Sequence, residues 1–473
     1  MNTDLTAPVS GAATPLSSRS WAGEFRALFT LGWPLIVAQL AQISLNTTDV
    51  VMLGWLGPKF LAAAALANAL FIAVQLLGLG ITEAVSPMVA QALGAHDLRS
   101  VRRTLRQGIW IALGIAILLF PVIWNIASIY HLLGQDPELT AMADKFIHFA
   151  VWLIFPGFLI STFRSFISAH GATRVILVIT VAGVFVNAAT DYALIFGNWG
   201  FPRLEIAGAG IATTLVNFVM LAIMVAYTVL SRRFRRYHIF HNFFRPDWPR
   251  FFELLRIGIP IGLMRLAEVL LFTSAALLQG WIGQDAVAAH ASALQITAIS
   301  FMVPLGLSQA ATVRVGLAYG EGDRDGVRKA GWAAQIVTLL FMSATCVAFI
   351  VVPRAFVELF LDPANPANVV AIDLAVSYLV VAGLFQLFDG TQVTMGGALR
   401  GLSDTNVPLI IAFLGYWVVG FPVCYIAAFP LHLGGVGVWL GLAAGLAAVA
   451  VVLAIRFALR DRLGLTAPRP ALA

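Results

Sequence analysis

Twelve apolar runs follow one another along the chain, at about residues 28–54, 60–93, 107–130, 146–168, 174–196, 206–230, 254–283, 286–318, 331–353, 370–399, 407–429 and 433–456. A membrane-crossing helix needs about 20 predominantly apolar residues, so each run is long enough to span a bilayer. Hydrocarbon offers no partner to backbone N–H and C=O groups, and only helices or closed barrels satisfy them internally. Barrel strands are roughly ten residues long and alternate in polarity; these runs are longer and do not alternate. The expected fold is therefore an all-α polytopic membrane protein with twelve transmembrane helices. Only 11% of the 473 residues are charged, against roughly 25% in soluble domains, which excludes a soluble alternative.

The first twenty residues are rich in Ser, Thr, Ala and Pro, so residues 1–24 are predicted to be a disordered cytoplasmic tail and not a cleaved signal peptide. Helices 1–6 are expected within 25–231, a basic cytoplasmic linker at 232–252, helices 7–12 within 253–460 and a second tail at 461–473. Positive charge follows the even-numbered spans: Arg99, Arg102, Arg103 and Arg106; the cluster from Arg232 to Arg250; Arg324, Arg328 and Lys329; and Arg456, Arg460 and Arg462. The opposite loops hold Lys59, Lys145, Arg203 and Arg354 with the acids Asp136, Glu138 and Asp144. The positive-inside rule then makes both termini cytoplasmic. The net charge of +6 is a topology signal of this kind and not a nucleic-acid patch. The two cysteines, Cys346 and Cys424, lie inside apolar runs, which excludes a disulfide scaffold.

The two halves repeat each other at a shift of 226 residues. Gly54-Trp55-Leu56-Gly57 returns as Gly280-Trp281-Ile282-Gly283, and the same shift carries Gly32 to Gly258, Pro34 to Pro260, Gly80 to Gly306, Gly94 to Gly320 and Asp97 to Asp323. Each half has an even number of spans, so the halves enter the membrane in the same orientation, as parallel repeats about an axis along the membrane normal. Two six-helix lobes so related enclose a cleft, and rocking one against the other exposes it to each side in turn. A transporter follows from this arrangement; a duplicated scaffold without transport is the alternative.

Charges deep in apolar spans cost at least about 2.5–3.5 kcal/mol each on insertion scales and are seldom kept without use. Here they are Asp49, Glu83, Asp191, Arg265, Glu268, Arg314 and Asp389. Gln42, Asn46 and Asp49 share one face of the first helix, and Asn187 and Asp191 one face of the fifth. Carboxylates with amide neighbours can hold a proton or, through oxygen ligands, a Na⁺ ion at Asp49, Asn187 and Asp191; hydrogen-bonded glue between helices is the bland reading. In the second half Glu268 falls at the position of Gln42. Glu268 has Phe272 at i+4 and Asp389 has Phe385 at i−4, a counter-charge and aromatic face suited to an organic cation. Against this, Arg265 could neutralise Glu268 as an i, i+3 pair. Glu83, Gln309 and Arg314 read as long side chains reaching the headgroups, and His290 as a packed histidine.

There is no Walker-type loop, no metal-spaced Cys/His set and no nucleophile elbow, so neither ATP-driven pumping nor an enzyme is expected, and no cofactor beyond a coupling ion. The runner-up within transport is a lipid-linked saccharide flippase, which should line its cavity with Arg or Lys, whereas the charges within these spans are mostly acidic. An ion channel or a receptor is the reading from another class.

The string Trp33-Pro34 through Asp49-Val50-Val51-Met52-Leu53-Gly54, the stretch Ala288-Ala289-His290 through Arg314-Val315-Gly316 and the segment Gly396-Gly397-Ala398-Leu399-Arg400-Gly401 resemble the multidrug and toxic compound extrusion (MATE) family, in its NorM-like bacterial branch. The resemblance spans about residues 25 to 460. It implies two six-helix lobes forming a V around a central cavity, a monomer, and export of small cationic molecules in exchange for H⁺ or Na⁺. It carries over Asp49, Asn187, Asp191 and Thr213 as the amino-lobe cation site, Pro34 as a bend in the first helix, and Glu268 and Asp389 as the carboxyl-lobe acids. NorM-like members have a Tyr where this chain has Phe385, so a hydroxyl ligand is expected to be missing there, which favours H⁺.

Overall fold

The computed structural model describes residues 20–132, 134–239 and 243–467. It has twelve helices long and apolar enough to cross a membrane: α1 Trp21–Leu56, α2 Lys59–Gly94, α3 Leu98–Trp124, α4 Pro137–Ala169, α5 Thr173–Phe196, α6 Ile206–Leu230, α7 Trp248–Ile282, α8 Gln284–Gly320, α9 Arg324–Val351, α10 Val369–Gly401, α11 Asn406–Ala428 and α12 Gly434–Ala458. No strand occurs among the described residues.

Several helices begin earlier than the apolar runs, because each is started by a polar cap outside the hydrocarbon. Asp97 accepts from the amides of Arg99 and Ser100 to open α3, Asp136 from Glu138 and Leu139 to open α4, Asp247 from Arg250 to open α7 and Asp323 from Gly326 to open α9. The expected linker therefore loses its last residues to α7. Residues 21–24, expected in the tail, form the first turn of α1, capped by the Ser20 hydroxyl; residues 1–19 and 468–473 lie outside the described residues. Three spans change pitch one turn before a proline whose missing N–H cannot complete the ladder. α2 opens at Glu83 and Ala84 before Pro87, α4 tightens over Val151–Leu153 before Pro156, and α11 widens over Leu414–Gly420 before Pro422. Pro34, by contrast, lies inside a continuous α1.

The lobes meet along α1 against α8 and α2 against α7. The repeat-related glycines line this seam in reciprocal fashion. A Cβ on Gly94 would stand 2.1 Å from the Leu317 carbonyl oxygen, and one on Gly320 2.1 Å from that of Gln91. A Cβ on Gly80 would meet the Gly262 backbone at 2.4 Å, and one on Gly306 the Ile36 backbone at 2.8 Å. Every one of these contacts lies in the half of the helices that ends in the arginine-rich loops. At the other end Gly54, Gly280 and Gly283 face open space. The lobes are thus shut at the basic end.

Charged pairs reinforce the closure. Arg314 of α8 and Glu24 of α1 form a two-pronged pair buried to within a few per cent, with Nε to Oε1 at 2.7 Å. Gln91 of α2 donates to the Gly401 carbonyl at 2.8 Å and to the Ser403 hydroxyl at 2.9 Å. The reading of Arg314 as a side chain reaching the headgroups is therefore corrected: its charge is spent on the opposite lobe.

The linker after α6 docks on the same end. Tyr237 donates to His170 Nε2 at 2.8 Å while His170 Nδ1–H donates to the Phe166 carbonyl at 2.8 Å, which fixes the tautomer because a carbonyl can only accept. Phe166 and Phe234 close over the ring, and Arg233 donates to the His170 carbonyl. Burial pushes His170 down to about 3, helped by the nearby Arg233 and Arg236 charges. Only the unfolded chain takes up this proton below the ordinary value of about 6.5, so the contribution of the neutral ring is whole above that pH and is lost as pH falls towards about 3. In His170→Gln the fall in Tm of the solubilised protein between about pH 7 and pH 5 should be shallower than in the wild type; equal slopes would contradict this assignment.

Candidate functional site

In the first lobe α1, α5 and α6 bring Asp49, Asn187, Asp191 and Thr213 together. Asn187 Nδ2 donates to Asp49 Oδ1 at 2.6 Å and to Asp191 Oδ2 at 2.7 Å. The Thr213 hydroxyl reaches Asp49 Oδ2 at 2.9 Å. Asn187 and Asp191 are fully buried, and among the described residues neither Asn187 Oδ1 nor Asp191 Oδ1 has a partner. One amide thus holds two carboxylates at hydrogen-bonding distance and leaves two buried oxygens open. Two carboxylates so close, Asp191 fully buried and Asp49 half-buried, cannot both keep their charge without a cation between them, and oxygen donors suit a proton or Na⁺.

The second lobe repeats the chemistry at different positions. Gln392 of α10 donates to Glu268 Oε1 of α7 at 2.6 Å and to Asp389 Oδ1 at 3.3 Å, and the Tyr416 hydroxyl from the widened turn of α11 donates to Gln392 Oε1. Here too one amide bridges two acids. Phe385 brings no hydroxyl to these acids, and the Tyr416 hydroxyl, from another helix, is spent on the Gln392 amide oxygen. Phe385 does not border a substrate space: it is 1% exposed, packed edge-on against Phe272 with centroids 6.0 Å apart and against Trp439 at 5.6 Å. Its face is turned into the lobe core by α12, which helical spacing alone does not reveal.

Between the lobes lies a cavity of about 360 Å³. Asn46 and Thr213 border it beside the first acid pair, and Gln39, Gln42 and Gln75 continue its polar wall. Its charged lining is Glu83, Arg164, Arg265 and Arg400. Arg265 spends its hydrogen bonds on the other lobe and not on Glu268: its Nη2 lies 2.8 Å from both oxygens of Glu83. The mostly acidic lining expected from the spans is therefore corrected to a basic floor. Arg164 and Arg400, like Gln392 and Tyr416, were missed by reading the sequence. Gln392 had a signal, its place three residues after Asp389, which parallels the Asn187–Asp191 spacing.

The MatE family model matches the chain twice, over residues 34–193 and 260–426. The chain belongs to the MatE family. The two matches begin at the repeat-related Pro34 and Pro260, in register with the 226-residue shift. A "Probable multidrug resistance protein NorM" of Mesorhizobium japonicum is 45% identical over 97% of this chain and 98% of its own. One of the same name from Brucella suis is 43% identical over 92% and 93%. The solved outward-facing structure of a MATE-family multidrug resistance transporter of the MOP superfamily superposes with a TM-score of 0.84 over 94% of this chain and 97% of that one, at 22% identity, which establishes the shared fold. As a family member the chain carries the twelve-helix, two-lobe architecture.

The bridging amides should matter to the folded state. Asn187→Leu leaves Asp49 and the fully buried Asp191 without their shared donor, and a loss of about 1.5–3 kcal/mol is expected, the range for a hydrogen bond to a charged group. Thermal denaturation in detergent would show it as a lowered Tm, and an unchanged Tm would rule the bridge out.

Proposed function

We propose that the protein is a secondary active antiporter of the bacterial inner membrane that exports organic cations in exchange for H⁺ or Na⁺, as a monomer, by alternating access. The observation that carries this reading is the pair of amide-bridged acid sites, one in each lobe, the first of them adjoining a cavity closed at its basic end. By the positive-inside rule that end is cytoplasmic, as are both termini, so the closed seam is the cytoplasmic gate and the cavity faces outward. The names of the curated relatives point the same way. In this scheme Asp49, Asn187 and Asp191 take up the coupling ion with Thr213 orienting Asp49, while Glu268 and Asp389 provide counter-charge for the outgoing cation. Ion binding favours one state of the lobes and cation binding the other, and that differential affinity couples the fluxes. Pro34, which cannot donate to the ladder of α1, marks where that helix would bend between states.

The arginines of the floor give a lipid-linked saccharide flippase some footing. Those guanidiniums are, however, partly engaged by Glu83, Ser308 and Gln309, and the relatives' names favour drug export. Obligatory counterflow in proteoliposomes separates an exchanger from a channel.

Orientation is checked by labelling. Arg235→Cys should react with an impermeant thiol reagent only in inside-out vesicles and Glu138→Cys only in intact cells, the native Cys346 and Cys424 being buried. The opposite pattern would invert the transport direction.

The division between lobes makes a second prediction. Asp49→Asn should keep substrate affinity but lose uphill export. Glu268→Gln or Asp389→Asn should weaken cation binding by about 1–3 kcal/mol, roughly 5- to 150-fold. Equal loss of affinity in all three, measured on purified protein, would make the acids one shared site.

A further inference from the structure

The arginines that follow α2 stand on a face of α3 that the rest of the protein does not cover. Arg99, Arg103, Arg106 and Trp110 recur at i, i+4, i+7 and i+11, and the same face continues to Ile117 with Leu118 beside it. Ile117 and Leu118 are 63% and 72% exposed, and an apolar face left open along a membrane span lies against acyl chains. The apolar run of α3 begins at residue 107, so the arginines stand at headgroup level and Trp110 just inside it, where indole rings collect.

The linker that leads into α7 comes to the same place. Trp110 Nε1 donates to the Phe243 carbonyl at 3.2 Å, the two rings stack with centroids 5.3 Å apart, and Phe244 beside them is 83% exposed. Arg106 lies within range of the charges of Arg102, Arg103 and Arg245, with Asp247 the acid among them. Asp247 is already spent: it pairs with Arg103, whose Nη2 is 3.2 Å from Oδ1, and it caps α7. Arg250 is spent on Glu253 at 2.9 Å and on the Ser100 hydroxyl at 2.8 Å. Arg102 and Arg245 are left without an ion pair among the described residues, and Arg102 Nε without any partner.

Like charges gathered at the edge of the hydrocarbon repel one another unless an anion lies among them. A phosphodiester matches guanidinium donors through charge-assisted hydrogen bonds. A soluble anion would satisfy the arginines but leave the aromatic rings and the open apolar stripe unused, whereas a phospholipid meets both. The amine of a zwitterionic headgroup would be set against the same arginines, so the fit is to a lipid of net negative charge.

We propose that Arg102, Arg106 and Arg245, bordered by Trp110 and Phe244, bind the headgroup phosphate of an anionic phospholipid in the leaflet at the basic end, with its acyl chains along Ile117 and Leu118. The site lies outside the cavity between the lobes and does not depend on what is exported. Arg102 and Arg106 belong to the first lobe and Arg245 to the segment that starts the second, so the lipid joins the two at the closed end.

The test is native mass spectrometry of the purified full chain with phosphatidylglycerol and phosphatidylethanolamine of identical acyl chains. The wild type should hold phosphatidylglycerol at least about tenfold more tightly. Arg245→Gln, at an exposed position, should reduce that preference about fivefold, the effect of one arginine at a membrane surface. Arg102→Gln combined with Arg245→Gln should bring the two lipids close to equal affinity, and the two lysine substitutions at the same positions should keep most of the preference. Arg462→Gln, exposed near the other terminus of the chain, should leave it unchanged. Equal affinity of the wild type for both lipids, no effect of Arg245→Gln, or the same loss in Arg462→Gln would overturn the proposal. Inorganic phosphate should not displace phosphatidylglycerol; displacement at equal concentration would assign the arginines to a soluble anion and also overturn it.

Discussion

A charge placed in hydrocarbon has to be answered by a neighbour, and in this chain the answers come from other helices and often from the other lobe. Glu24 is answered by Arg314 and Glu83 by Arg265, both across the lobe boundary. Breaking a buried pair by removing one partner costs several kcal/mol, because the charge left behind has no water to turn to. The two lobes therefore cannot part at the basic end until these groups find solvent or a ligand. That makes the closed end a state with a defined electrostatic cost of opening, and a substrate or ion that changes the charge inventory changes that cost.

The acid pairs obey the same constraint at shorter range. Each lobe places two carboxylates about a single amide, Asn187 in the first and Gln392 in the second. The amide orients the acids without neutralising them. The pairs do not occupy equivalent positions of the repeat: Asp49 and Glu268 sit at different heights on α1 and α7. The repeat gives both lobes one frame, but the acids stand at different places within it.

The spans were legible because length and polarity decide them, and the first-lobe site because Asn187 and Asp191 share a helical face that Asp49 could meet. Helix starts were read too late because the capping aspartates lie in polar stretches that look like loop. Arg265 was read against Glu268 because helical spacing shows only local partners, whereas Glu83 is 182 residues away in sequence. Gln392 escaped notice because it carries no charge, and the buried face of Phe385 depends on Trp439, which no periodicity in α10 reports. The repeat exposed the glycines, but only the packed structure gives the reason for them, a backbone-to-backbone seam.

That seam behaves like a bearing. At the glycines the approach is backbone to backbone, so at those points a small rotation needs little rotamer rearrangement, while around them Leu28, Leu31, Ile257 and Leu307 pack in one apolar core across the boundary. A rotation of one lobe against the other therefore meets its resistance in that shared apolar core and in the pairs Glu24–Arg314 and Glu83–Arg265, and the glycines mark the line about which the lobes can turn.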